Sequence, residues 1–111
     1  MQVRISKLGV AHYLTPDGPL VSENLAAFTQ RVEETHGEGG ARLVVDLRHV
    51  AFFDSAGLEC LLDLADRLRE EGGSLRLANA NPLCREVLAL TGIDESIPVH
   101  ENLSGAGRSF L

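Results

Sequence analysis

Residues 52–62, FFDSAGLECLL, place two aromatic side chains, a carboxylate, a hydroxyl and a glycine directly before an amphipathic pattern. Several chemistries use such a set. A hydrolase serine sits in GxSxG with a histidine base, but Ser55 is flanked by Asp54 and Ala56, and His12, His36, His49 and His100 belong to no recognisable pairing. Phosphate-cradling turns are absent too, because no GxxxxGKS or GxxxxGKT stretch occurs and GEGG precedes a strand instead of following one. A receiver-type phosphoacceptor aspartate needs an acidic pair and a late lysine, and the only lysine is Lys7. Cys60 and Cys84 stand far apart, with no CxxC and no histidine at ligand spacing, so no metal site, disulfide or cofactor is indicated. Both read as small buried or half-buried hydrophobes.

What remains is the position of Ser55. It lies where an apolar strand turns into a helix, so its hydroxyl sits near a helix N-terminus, where unpaired N–H groups and the dipole favour an anion. A phosphate there is accommodated without unfolding the domain. The competing reading is structural: Ser55 or Asp54 simply caps the helix. Gly57 follows in the same turn, where the change from strand to helix and the close approach of a partner leave little room for a side chain.

The chain that must position these residues has 111 residues, 44% of them hydrophobic, which suits one domain with a single core. Ten basic and sixteen acidic residues give a net charge of −6, and no basic cluster exceeds two neighbours, so a nucleic-acid partner is excluded. Apolar runs fall far short of the ~20 residues a bilayer span needs, and MQVRISKLG lacks the apolar segment of a signal peptide. A cytoplasmic protein without membrane insertion is predicted.

Alternation in QVRIS and LGVAHYL predicts a hairpin of two short strands, ended by TPDGP. Leu25, Phe28 and Val32 then mark one face of a helix with Ser22 as N-cap and Gly37 as stop. The run LVV predicts a central strand, wet on neither face. A second helix spans about Ala56 to Glu71, with Leu58, Leu61, Leu62, Ala65 and Leu68 inward, and GG closes it. SLRLAN is a further strand, NPLCREVLALTG a helix capped by Asn81, opened by Pro82 and ended by Gly92, and Ile97 to Val99 a weak last strand. In ENLSGAGRSFL, Gly105 and Gly107 each cost a helix about 1 kcal/mol, which predicts a frayed, flexible tail over 104–111.

The stretch from VVDL through D-S-x-G-L at Asp54 to Leu58, the GG before SLRLAN and the helix NPLCREVLALTGI resembles STAS domains of the anti-sigma factor antagonist type. The resemblance covers about residues 40–100 well and the first forty weakly. It implies one α/β domain over 1–111, a mixed β-sheet with helices packed against it, and no enzyme. It further implies a partner, an anti-sigma factor that is usually also a GHKL-type serine kinase, which the domain binds to free the sigma factor. That kinase phosphorylates the serine after the aspartate of D-S-x-G, by residue match Ser55; binding is then lost until a phosphatase restores it. The partner surface so implied comprises Asp54, Ser55, Ala56, Gly57, Glu59, Val21 and Ser22. This chain departs from the family pattern at Ala56, where Ser or Thr is frequent, at Val21, which replaces a customary aspartate, and at Glu59, which replaces a small residue. Within the wider family two other roles stay open: a subunit binding the ATPase of an ABC-type lipid transporter, and a component of a stressosome-like assembly.

Overall fold

The computed structural model describes residues 1–35 and 40–111, and builds five strands into one mixed sheet in the spatial order β1-β2-β3-β4-β5. β1 (Gln2–Leu8) and β2 (Ala11–Asp17) are antiparallel and in register from Gln2 against Asp17 to Leu8 against Ala11. β2, β3 (Arg42–Asp46), β4 (Ser74–Ala78) and β5 (Val99–His100) run parallel. LVV is therefore central, as its unbroken apolar character requires: Leu43, Val44 and Val45 are fully buried.

Each parallel crossover passes through a helix on the same face: α1 (Leu25–Glu33), α2 (Ser55–Glu70) and α3 (Pro82–Leu90). Phe28 and Val32 of α1, Leu61, Leu64, Ala65 and Leu68 of α2, and Cys84 and Leu88 of α3 close the main core over Leu14, Leu43, Val45, Leu75 and Leu77. A one-turn helix, α4 (Ile93–Ser96), leads into β5 and adds Ile93 to that core.

Local chemistry explains the well-marked ends. Asn81 Oδ1 accepts the Cys84 N–H at 2.7 Å, Pro82 fills the first turn, and Gly92 takes the left-handed conformation (φ 74°) after α3. Other boundaries differ from expectation. The hairpin turns at Gly9 and Val10, residues read as strand, and β2 runs on through Pro16, which pairs with Val3. Ser22 is not the cap of α1; Asn24 occupies that position without a capping side-chain bond, its Nδ2 donating instead to Pro19 O at 2.9 Å, and the Ser22 N–H is committed elsewhere. Gly37, expected to stop α1, lies outside the described residues. Leu64, not foreseen, joins the buried face of α2, while Leu58 and Leu62 are half-buried.

The expected frayed tail is instead a helix, α5 (Leu103–Arg108), capped by Asn102 Oδ1 on the Gly105 N–H at 2.7 Å. It lies on the opposite sheet face, where Ala106, 0% exposed, meets Ala11, Tyr13, Val44 and Ala78. Gly107 lets the helix lie close to Tyr13, where a Cβ would stand 2.2 Å from the hydroxyl oxygen and require the ring to shift. The Phe110 ring lies 4.6 Å from the Arg76 guanidinium carbon, a cation–π contact. Burial outweighs the helix propensity of two glycines. Deleting 104–111 should therefore cost about 2 kcal/mol and lower the thermal midpoint by on the order of ten degrees. A scan showing an unchanged midpoint would mean that α5 does not hold this face.

Candidate functional site

The loop between β3 and α2 carries Ser55 and is pinned from several sides. At its start Asp46, buried at the end of β3, accepts bonds from the Arg48 N–H (3.1 Å) and Asn79 Nδ2 (3.0 Å), and pairs with Arg48 Nε at 2.7 Å. Further on, Asn81 Nδ2 donates to the carbonyls of Val50 and Ala51 at 3.3 and 3.1 Å, and the Cys84 thiol lies 3.5 Å from the Val50 oxygen. At its end the loop joins the segment before α1: the Leu20 N–H donates to Phe52 O (3.2 Å) and the Asp54 N–H to Leu20 O (3.3 Å). Leu20 and Phe53 form an isolated parallel bridge.

Asp54 is the hinge of this arrangement. It caps α2 in extended conformation, its Oδ1 accepting the Gly57 N–H at 2.8 Å, while its Oδ2 accepts the Ser22 N–H at 2.9 Å. One carboxylate thus ends a helix and ties down a loop 32 residues away. The two N–H groups, Ser22 first and Gly57 second, hold the Asp54 carboxyl below the usual carboxylate range. Its folded pKa is depressed relative to the unfolded chain, so the bonus is complete above the ordinary carboxylate pKa and disappears as the pH falls through the folded value. Asp54→Ala should lower the unfolding midpoint at neutral pH and reduce its decline in acid. Parallel acid profiles for the two proteins would show that Asp54 does not carry the bonus.

Gly57 is buried beneath Leu20, and a Cβ would lie 1.9 Å from the Leu20 carbonyl oxygen. The crowding expected at this glycine comes from the chain itself. Leu20 is the site residue that the sequence left unmarked, because its role rests on backbone contacts across 34 residues with no local pattern.

With Asp54 as cap, Ser55 is the first residue of α2; it is exposed, and among the described residues its hydroxyl has no hydrogen-bond partner. Around it lie Ser22, tied to Asp54, Val21, whose carbonyl accepts the Asn24 N–H at 2.8 Å, half-buried Ala56, and Glu59, exposed one turn along α2. Phe52 adds an apolar side chain, 48% exposed, just before the site. The structure thus joins Ser22, Asp54 and Gly57 by hydrogen bonds and leaves Ser55 and Glu59 facing outward. Among the described residues no three His, Cys, Asp or Glu side chains converge as metal ligands would, and no helix is long and apolar enough to cross a membrane.

Comparison with known proteins agrees with this architecture. BtrV of Bordetella bronchiseptica, named as a candidate anti-sigma factor antagonist, is 34% identical over 93 residues, 84% of this chain and 80% of that one. The anti-sigma F factor antagonist of Paenibacillus polymyxa is 27% identical over 60 residues, covering 54% of this chain and 51% of that one. A crystal structure of a candidate anti-sigma factor antagonist from Thermotoga maritima superposes with a TM-score of 0.87 at 22% identity, over 96% of this chain and 92% of that one, which shows a shared fold. The family model described as STAS domain matches residues 3–106, from β1 into α5, and on that match the chain belongs to the STAS domain family.

Proposed function

We propose that this protein is an anti-sigma factor antagonist, a binding module that engages an anti-sigma factor through the surface around Ser55 and is released when Ser55 is phosphorylated. The observation that carries the reading is the division of labour at the start of α2: Asp54 caps the helix, and the exposed Ser55 hydroxyl beside it is unengaged. Modifying that hydroxyl removes no fold contact. The names of the Bordetella and Paenibacillus relatives support the partner class.

The physical consequence of the modification is large. A phosphate adds about −1.5 to −2 charges at a surface that a bound partner must desolvate. The anti-sigma factor, acting as a GHKL-type serine kinase, transfers the γ-phosphate of ATP to the Ser55 hydroxyl with ADP leaving, and a separate phosphatase hydrolyses the phosphoserine. Val21, Ser22, Asp54, Ala56, Gly57 and Glu59 shape the same surface. Ala56 in place of a hydroxyl residue leaves Ser55 as the only acceptor in the turn.

Intact-mass measurement of the protein taken from its own cells tests this. The expected result is a population heavier by one phosphate that maps to Ser55. A protein unmodified under every growth condition, and recovered instead with an ABC-type ATPase, would overturn the reading in favour of a transporter subunit.

A further inference from the structure

Beside the Ser55 turn, a groove of about 410 Å³ opens between α1 and α2. α1 packs mainly on β1, and small side chains leave space open between it and α2: Ala26 on α1 and Ala56 and Cys60 on α2 line the groove, with Leu25 and Leu64 as apolar walls. Glu59 and Asp63 stand exposed on its rim. At the far end Arg67, the one cation in the lining among the described residues, is paired with Glu33, Nη1 to Oε1 at 2.6 Å, and its Nε lies 3.7 Å from Glu71 Oε1, while its buried Nε and Nη2 make no hydrogen bond. Further along α2 the exposed Glu70 continues the acidic ridge, and the exposed Asp66 beside it is paired with Arg69 Nη1 at 3.2 Å.

These features select an occupant. An apolar floor of this size takes two or three large aliphatic side chains, the demand of a helix laid in a groove. The acidic rim repels an anionic ligand and also a second copy of this chain, whose net charge is −6. We infer that the groove between α1 and α2 is a docking site for a basic amphipathic helix of a partner protein, its aliphatic face over Ala26, Ala56 and Cys60 and its Lys or Arg side chains against Glu59 and Asp63. Assigning that helix to the anti-sigma partner rests on the function proposed above; the groove's preference for a basic helix does not. Because Ala56 adjoins Ser55, one partner can span both places, yet a charge at Ser55 does not enter the groove floor.

Cys60 provides a reporter. It is half-buried in the groove, where burial and then Asp63 push its thiol up, while Cys84 is fully buried in the core and serves as an internal reference. The probe is a synthetic helix of about fifteen residues with leucines at i, i+3, i+4 and i+7 and lysines elsewhere, compared with the same leucine pattern carrying glutamates. Alkylation of the full chain by iodoacetamide is followed by mass at alkaline pH and low salt. The expected result is saturable slowing of Cys60 modification by the lysine helix of about tenfold or more, none by the glutamate helix, and loss of protection in Ala26→Trp. The doubly substituted Glu59→Lys, Asp63→Lys protein changes only exposed side chains, and its circular dichroism should match wild type while protection falls about tenfold. Ser55→Asp should keep protection, so failure of the switch and failure of the groove remain distinguishable. Equal protection by both helices, protection surviving Ala26→Trp, or self-association that Ala26→Trp abolishes would overturn the proposal.

Discussion

Gly57→Val is expected to cost about 3–5 kcal/mol, a large part of the 5–15 kcal/mol that holds a domain of this size together. The cause is backbone against side chain. A Cβ at residue 57 would stand 1.9 Å from the Leu20 carbonyl oxygen and 2.9 Å from its carbon, so no rotamer relieves the contact. Either α2 moves off the sheet, or the 20–22 segment lifts and breaks the Asp54 N–H to Leu20 O bond and the Ser22 N–H to Asp54 bond. Gly57→Ala should fail in the same direction, because the first carbon already collides. Partner binding falls as well, through loss of the turn's shape. Denaturant midpoints within about 0.5 kcal/mol of wild type would show that Leu20 does not close over this turn.

The contrast between Gly57 and its neighbours shows what could be read before the fold was known. Asn81, Pro82 and Gly92 act on the residues beside them, so the bounds of α3 were plain in the sequence. The central place of LVV was equally plain, since no strand with a wet face tolerates that run. Ser22 looks like a cap to local inspection, but Asn24 takes that position and the Ser22 N–H donates to Asp54 Oδ2, 32 residues away. Gly57 reads from the sequence as a shape residue crowded both by its own turn and by a partner, and the object against it within the chain is Leu20.

The end of the chain failed for the opposite reason. As helix breakers Gly105 and Gly107 carry a local cost, but Gly107 lets α5 pass close to the Tyr13 hydroxyl and Ala106 is sealed against the sheet. Tertiary burial overrides propensity here. At the site, sequence alone left two candidates for the cap of α2. Geometry distinguishes them: Asp54 accepts the Gly57 N–H, and Ser55 is the residue after the cap.

Ser55→Asp carries the second large expectation. The substitution places a carboxylate at the first position of α2, where an acidic side chain is well tolerated by the helix dipole, and it removes no hydrogen bond seen among the described residues. Its unfolding midpoint should therefore match wild type. Its affinity for the anti-sigma partner should not, because an unpaired charge buried in the contact costs about 3–5 kcal/mol, or two to three decades and more in Kd. Ser55→Ala keeps the surface uncharged and should bind as wild type does.

The most direct measurement is a titration of the anti-sigma partner with wild type, Ser55→Ala and Ser55→Asp, each with and without ATP, alongside their unfolding midpoints. The account predicts tight binding by wild type that ATP abolishes, tight binding by Ser55→Ala that ATP leaves unchanged, and at least about a hundredfold loss in Ser55→Asp, at equal stability in all three. Wild type that remains unphosphorylated with ATP, together with Ser55→Asp that binds as tightly as wild type, would contradict it.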